Sequence, residues 1–150
     1  MKLATDMWVV VLDGAKAIVM VNQGTAFEPR LKVLRTLSQD DPPTHELGRD
    51  RPGRVYESSG QGRSAVEAPD LHRRAEDAFI AEVMEALERH AEKGAFEKIV
   101  LAAPPVALGT VRQQIGQALK PRIVKEIAAD YVKMPTQDIA KAIQKALEPN

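Results

Sequence analysis

The fold of this chain is decided by one stretch, which reads Met7-Trp8-Val9-Val10-Val11-Leu12-Asp13-Gly14-Ala15-Lys16-Ala17-Ile18-Val19-Met20-Val21. Its first part, residues 7–12, is a continuous run of β-favouring apolar residues, which is typical of a strand buried on both faces. Residues 15–21 form a second apolar run, and Asp13-Gly14 lies between the two. Because a type I′ turn needs φ > 0 at both central residues, Asp-Gly at this point predicts an antiparallel hairpin.

The rest of the chain alternates between strand and helix signals. A third strand, with Leu31, Val33 and Leu37 on one face, carries enough polar residues for the edge of a sheet. The elements predicted from here on, in chain order, are this strand at 30–37, a helix from Asp70 to about Lys93, a buried strand at 98–103, a helix from Pro105 that stops before Pro121, a strand at 123–128, and a final helix capped by Thr136. Ser64-Ala65-Val66-Glu67 also fits a capping box, which is an alternative, earlier start for the first of these helices. The pattern at 123–128 is also compatible with a helix.

The long helix has an apolar stripe from Leu71 to His90, with apolar residues at spacings of three and four. His90 on this stripe is interpreted as a core histidine. The glutamates of the helix are expected largely on its exposed surface; they are Glu76, Glu82, Glu85 and Glu88.

The predicted order β-β-β-α-β-α-β-α gives an α/β fold with a five-stranded mixed sheet and helices on both faces. Right-handed crossovers place the fourth and fifth strands beside the first. This layout is the ribonuclease H-like arrangement. Since 150 residues is an ordinary length for one domain, we expect a single domain over residues 1–150.

Composition excludes several classes of function. The 21 basic and 21 acidic residues balance, which argues against a general nucleic-acid binder. There is no cysteine, so disulfides and thiol chemistry are excluded. The apolar run at 7–12 is too short for a signal peptide, and no run approaches the ~18 residues of a membrane span. We therefore expect a cytoplasmic protein.

The segment at about 38–68 differs from the rest, with three prolines, four glycines and few large apolar residues. A connection of this length is uncommon in a compact domain and is usually functional or disordered. Its stretch from 49 to 64 holds four arginines and only two acids, and arginine with backbone donors suits phosphate or carboxylate recognition. The alternative is a solvated loop. The candidate binding residues are Arg49, Arg51, Arg54, Gly60, Gln61, Gly62, Arg63 and Ser64.

No catalytic, metal or cofactor site is predicted. The histidines lack metal-ligand spacing, and neither a nucleophile elbow nor a Walker A loop occurs. A ribonuclease H-like sheet raises the question whether carboxylates converge on a divalent metal. Asp13 is better explained by its turn, and the other candidates are Asp6, Glu76 and Asp130.

Several pieces of the chain together resemble the bacterial family called "protein required for attachment to host cells". The resemblance covers nearly the whole chain, and no single piece is specific by itself. The pieces are Trp8 with Asp13-Gly14-Ala15, Gly48-Arg49, Gly53-Arg54, Gly62-Arg63-Ser64-Ala65, residues 96–105, Leu108-Gly109-Thr110-Val111-Arg112, Glu126-Ile127 and Asp130.

That family is similar in fold to the middle domain of eukaryotic and archaeal class-1 peptide release factors, whose Gly-Gly-Gln loop promotes peptidyl-tRNA hydrolysis. Here one glycine only, Gly60, precedes Gln61. The resemblance and this departure lead us to expect a non-enzymatic binding or regulatory domain that acts indirectly on attachment, with RNA, the ribosome or a protein as partner of the 48–64 segment. The alternatives are a release-factor-like hydrolase acting through Gln61, and an interaction module that assembles through the edge of the third strand.

Overall fold

The computed structural model of this protein describes residues 1–40 and 68–149. These residues form five strands, three α-helices and one short 3₁₀ turn. The elements are β1 (Trp8–Leu12), β2 (Lys16–Asn22), β3 (Leu31–Ser38), α1 (Ala68–Glu92), β4 (Ile99–Ala103), α2 (Pro105–Gln114), the 3₁₀ turn Lys120–Arg122, β5 (Ile123–Ala128) and α3 (Thr136–Leu147).

The strands form one mixed sheet in the order β3-β2-β1-β4-β5. β1 pairs antiparallel with β2, and β2 pairs antiparallel with β3. β4 lies parallel to both β1 and β5. The predicted element order, the α/β class and the position of the fourth and fifth strands beside the first are confirmed.

Alternation along β1 and β4 divides the core into two apolar clusters. Val10, Leu12 and Leu101 face α1 and α2, and belong with Phe79 and Val111 to the larger cluster. The opposite face of the sheet packs against α3; its cluster includes Val9, Val11, Met20, Val100, Ile139 and Ile143. Every residue of β1 and β4 is buried, as expected of strands covered on both faces.

β3 lies at the edge of the sheet as predicted, but its side chains do not keep the expected alternation. Val19 pairs with Arg35 and Met20 with Val33, so Leu34 is an extra residue in a β-bulge. Leu31 therefore packs on the α3 side and Leu37 on the α1 side. The prediction that Leu31, Val33 and Leu37 share one face is wrong because a bulge reverses the alternation beyond it.

The β1–β2 connection is a tight hairpin, but not a type I′ turn. Neither Asp13 nor Gly14 has a positive φ. The Asp13 carboxylate instead closes the turn, with Oδ1 accepting hydrogen bonds from the backbone N–H groups of Ala15 and Lys16, both at 2.8 Å. Glycine is needed at 14 for close packing, since a Cβ there would lie 2.7 Å from the side chain of Glu76.

Two helix starts also differ from the predictions. α1 begins at Ala68, so Asp70 lies inside its first turn instead of capping it. An acid there still favours the helix through the macrodipole. Thr136 is the first residue of α3 and makes no capping hydrogen bond with its side chain. At the other end of α1, Gly94 follows the helix with φ of 72°, as predicted for a C-terminal glycine.

Burial along α1 begins later than the stripe predicted. Leu71 is 49% exposed, whereas Phe79, Val83 and Leu87 are buried. Glu88, expected on the surface, accepts hydrogen bonds from the backbone N–H groups of two residues that follow α2, Ala118 and Leu119. This carboxylate therefore ties α1 to the chain leading into β5.

Candidate functional site

All eight candidate binding residues lie outside the described part of the chain. The segment that carries them leaves the described structure after Asp40 and re-enters it at Ala68, where α1 begins. The structure therefore gives the surroundings of the two ends of this segment. Use of the 48–64 residues in binding stays a prediction.

The first end of the segment is held against the β1–β2 turn. The backbone N–H of Gln39 donates to the carbonyl of Ala15 at 2.9 Å, and its side-chain Nε2 donates to the carbonyl of Gly14 at 2.7 Å. The β1–β2 turn also packs against Glu76 of α1. The end of β3, the turn and the first third of α1 therefore meet at one edge of the sheet.

A cleft of about 280 Å³ opens at this edge, between the β1–β2 turn, α1 and α2. It lies beyond the carboxyl ends of β1 and β4. Val106, 62% exposed, is an apolar residue on its rim. The polar residues that line it are Asp13, Arg73, Glu76, Asp77 and Thr110.

The polar side of this cleft is organised around Asp77. Its Oδ1 accepts a hydrogen bond from the hydroxyl of Thr110 at 3.0 Å, which links α1 to α2. Arg73, one turn earlier on α1, forms an ion pair with the same carboxylate at 3.2 Å. Sequence reasoning did not single out this trio. The four-residue spacing of Arg73 and Asp77 was an available signal, but nothing in the sequence brings Thr110 to them.

Of the four carboxylates considered as metal ligands, the structure brings only two together. Asp13 and Glu76 both line the cleft. Asp6, which has φ of 71°, lines a separate hollow at the amino end of β1. Asp130 lies beyond the end of β5 and accepts a hydrogen bond from the backbone N–H of Val132 at 3.3 Å. Among the residues that the structure describes, no three histidine, aspartate or glutamate side chains are grouped so as to hold a metal ion.

His90 is half-buried and lies against the ring of Trp8, with ring centroids 5.5 Å apart. Burial lowers the pKa of its imidazole below the ordinary 6.5, and the positive charges of Arg35, Lys93 and Arg89 lower it further. The interpretation as a core histidine is thus correct in part, since the ring contacts the core from a basic rim.

The lowered pKa of His90 predicts a loss of stability on mild acidification. Below pH 6.5 the imidazole binds a proton more readily in the unfolded chain than in the folded chain. The free energy of unfolding that is present above pH 6.5 is therefore partly lost as the pH falls through the lowered pKa of His90 in the folded chain. We expect the free energy of unfolding to fall more for the wild type than for His90→Phe between about pH 7.5 and about pH 5.5. Urea denaturation at the two pH values measures the difference, and equal losses would contradict the prediction.

The edge position of β3 is the feature on which the interaction-module hypothesis depends. Its residues 32–36 are exposed, and no described strand pairs with its outer side. The edge is thus confirmed, whereas assembly through it stays a prediction that light scattering can test. Within the described residues, no helix combines the length and the apolar character needed to cross a membrane.

The strand order and the pairing directions define an α/β fold with a five-stranded mixed sheet, which has the predicted ribonuclease H-like arrangement of strands. The chain matches the model of "Bacterial archaeo-eukaryotic release factor family 12" over residues 6–143, and it belongs to this family. The release-factor part of the sequence-based resemblance is thereby confirmed.

One solved structure to which the chain is similar is the crystal structure of the archaeal translation termination factor aRF1. The two share 14% sequence identity with a TM-score of 0.47, and the match covers 94% of this chain and 38% of the aRF1 chain. No curated protein sequence matches significantly.

Proposed function

We propose that this protein is a non-enzymatic domain that binds ribosomal RNA through its arginine-bearing segment at residues 48–64. The observation that carries the proposal is its membership of a release-factor family, by a match that spans residues 6–143 and so includes this segment. An effect on attachment to host cells would then be indirect, through translation.

The charge of the segment supports RNA as the partner. Four arginines against two acids between residues 49 and 64 give a local excess of positive charge on a chain whose net charge is zero. Arginine forms bidentate hydrogen bonds with phosphate. Glycines among the arginines let the backbone come close to a ligand.

The described structure supports the proposal through the two ends of the segment. Gln39 fastens one end to the β1–β2 turn, and α1 begins at the other. The cleft at this edge carries the acids Asp13 and Glu76, which would repel a phosphate backbone. We therefore place the RNA contact on the segment itself and not in the cleft.

The experiment is co-sedimentation of the protein with purified ribosomes over a series of salt concentrations. Replacing Arg49, Arg54 and Arg63 together by alanine should reduce the slope of log affinity against log salt by about three, since each phosphate contact contributes about one. We expect the melting temperature to stay close to that of the wild type, because arginine is a residue type that is mostly exposed and surface substitutions usually change stability little.

A matched control removes three positive charges from exposed helical positions, with Arg74, Lys141 and Lys145 replaced by alanine. This variant should bind ribosomes like the wild type. If the two triple variants weaken binding equally, only net charge matters and the assignment to the 48–64 segment is wrong.

The alternative within the same family is hydrolysis of peptidyl-tRNA through Gln61, which has Gly60 and Gly62 as neighbours. Release of peptide from stalled ribosomes, measured for the wild type and for Gln61→Ala, separates the two. Activity that is lost in Gln61→Ala would make the protein an enzyme and overturn the non-enzymatic part of the proposal.

A further inference from the structure

A cavity of about 220 Å³ lies between the bulged edge strand β3 and the C-terminal half of α1. The side chains around it come from β1, β2, β3 and α1. They include Trp8, Val19, Leu37, Val83 and Leu87, most of which are buried members of the larger core cluster. It is separate from the cleft at the carboxyl ends of the strands.

The β-bulge lies beside this cavity. Because Leu34 is inserted opposite the junction of Val19 and Met20, Leu34 and Arg35 both come to the α1 side of the sheet. Leu34 also lines the cavity and is 44% exposed. The cavity therefore has an apolar floor and an opening beside an arginine.

The polar groups at the opening are all basic. Arg35 and the imidazole of His90 line the cavity, and the charges that act on His90 come from Arg35, Lys93 and Arg89. Within residues 1–40 and 68–149, the Arg35 side chain forms neither an ion pair nor a hydrogen bond with another residue. An apolar space beside a cation that has no partner among the described residues fits a ligand with an apolar body and an anionic end.

We propose that this cavity binds a small aromatic carboxylate, with its ring among Val19, Leu37 and Val83 and its carboxylate on Arg35. The size limits the ligand. Typical ligand pockets measure about 300–1,000 Å³, while an apolar cavity of about 150 Å³ already holds benzene. One ring with a short chain is therefore the class that fits.

The chain offers its own reporter for the test, because Trp8 is its single tryptophan and lines the cavity. Titration with 3-phenylpropionate should change the Trp8 fluorescence saturably. The uncharged 3-phenylpropanamide should bind with an affinity at least about tenfold lower, since hydrogen bonds to a charged group are worth more than neutral ones.

Two variants locate the ligand. Arg35→Gln should weaken binding of the acid about tenfold and leave binding of the amide nearly unchanged. Ala86→Leu adds a larger side chain to the cavity wall, where Ala86 is 5% exposed, and should abolish binding of both compounds. Arg74→Gln, an exposed arginine near the start of the same helix, is the matched control and should bind like the wild type.

The proposal is overturned by the absence of a saturable response to the acid, or by equal affinities for the acid and the amide. Wild-type affinity of Arg35→Gln for the acid would also overturn it. Should Ala86→Leu fail to fold, Arg35→Gln still decides the matter, because Arg35 is an exposed position on the edge strand. None of these outcomes depends on ribosome binding.

Discussion

Replacing Asn22 by alanine is expected to lower the free energy of unfolding by about 3–4 kcal/mol, since each polar group left unsatisfied in the interior costs about 1–3 kcal/mol. Asn22 is 0% exposed. Its Oδ1 accepts hydrogen bonds from the backbone N–H groups of Gly24 at 2.8 Å and Arg30 at 2.9 Å. Its Nδ2 donates to the carbonyls of Leu3 at 2.9 Å and Ala4 at 3.2 Å.

One side chain thus joins the N-terminal segment, the end of β2 and the start of β3. Alanine would leave two N–H groups and the Leu3 carbonyl without this partner, and water has little access to the site. Close packing leaves the loop little freedom to adjust, because a Cβ at Gly24 would lie 2.2 Å from the carbonyl oxygen of Glu28.

Urea denaturation of Asn22→Ala, compared with Gln23→Ala, measures the effect. Gln23 is the exposed neighbour, and its replacement should change stability by no more than about 0.5 kcal/mol. Asn22→Asp keeps the acceptor but loses the donor and places a charge in the interior, so it should be at least as harmful as alanine. If Asn22→Ala and Gln23→Ala are alike, the side-chain network does not stabilise the fold as argued.

The architecture was predictable because the strands that form the centre of the sheet carry strong local signals. β1 and β4 are short, wholly apolar runs bounded by turn residues, and such runs suit strands covered on both faces. Once the five strands were placed, the preference for right-handed crossovers left few topologies. The order β3-β2-β1-β4-β5 followed from these two rules.

The errors fall where the structure depends on contacts between residues far apart in the chain. The bulge at Leu34 is set by pairing with Val19 and Met20, and β3 alone does not indicate it. Asp13-Gly14 suggested a type I′ turn, but the glycine is required by close packing against Glu76, 62 residues later in the chain. Local turn statistics contain no information on such a contact.

The candidate sites divide in the same way, into features that are visible in the sequence and features that depend on contacts between residues far apart in the chain. The composition of the 48–64 segment pointed to binding without any structure, since a glycine- and arginine-rich connection is visible in the sequence. The Asp77–Thr110 link and the cavity beside Trp8 were not predicted, because the first joins two helices and the second four elements that only the folded chain places side by side.

The second large effect is expected at Glu88, where alanine should cost about 2–3 kcal/mol, because hydrogen bonds to charged groups contribute about 1.5–3 kcal/mol. Its two carboxylate oxygens accept hydrogen bonds from the backbone N–H groups of Ala118 and Leu119, each at 2.9 Å. Leu119 is 0% exposed, so this contact fixes a residue of the core as well as the approach to β5.

Gly116 makes the prediction for Glu88 specific. A Cβ at position 116 would lie 2.4 Å from the Glu88 carboxylate, so Gly116→Ala should destabilise the wild type by displacing that group. In a Glu88→Ala background the obstacle is gone, and Gly116→Ala should then cost little, giving strong non-additivity in a double-mutant cycle.

Glu85→Ala, an exposed position one turn earlier, is the control and should combine additively with Gly116→Ala. Additive costs for Glu88→Ala and Gly116→Ala would mean that the carboxylate does not occupy the space beside Gly116, and that the chain between α2 and β5 is held by its apolar contacts alone.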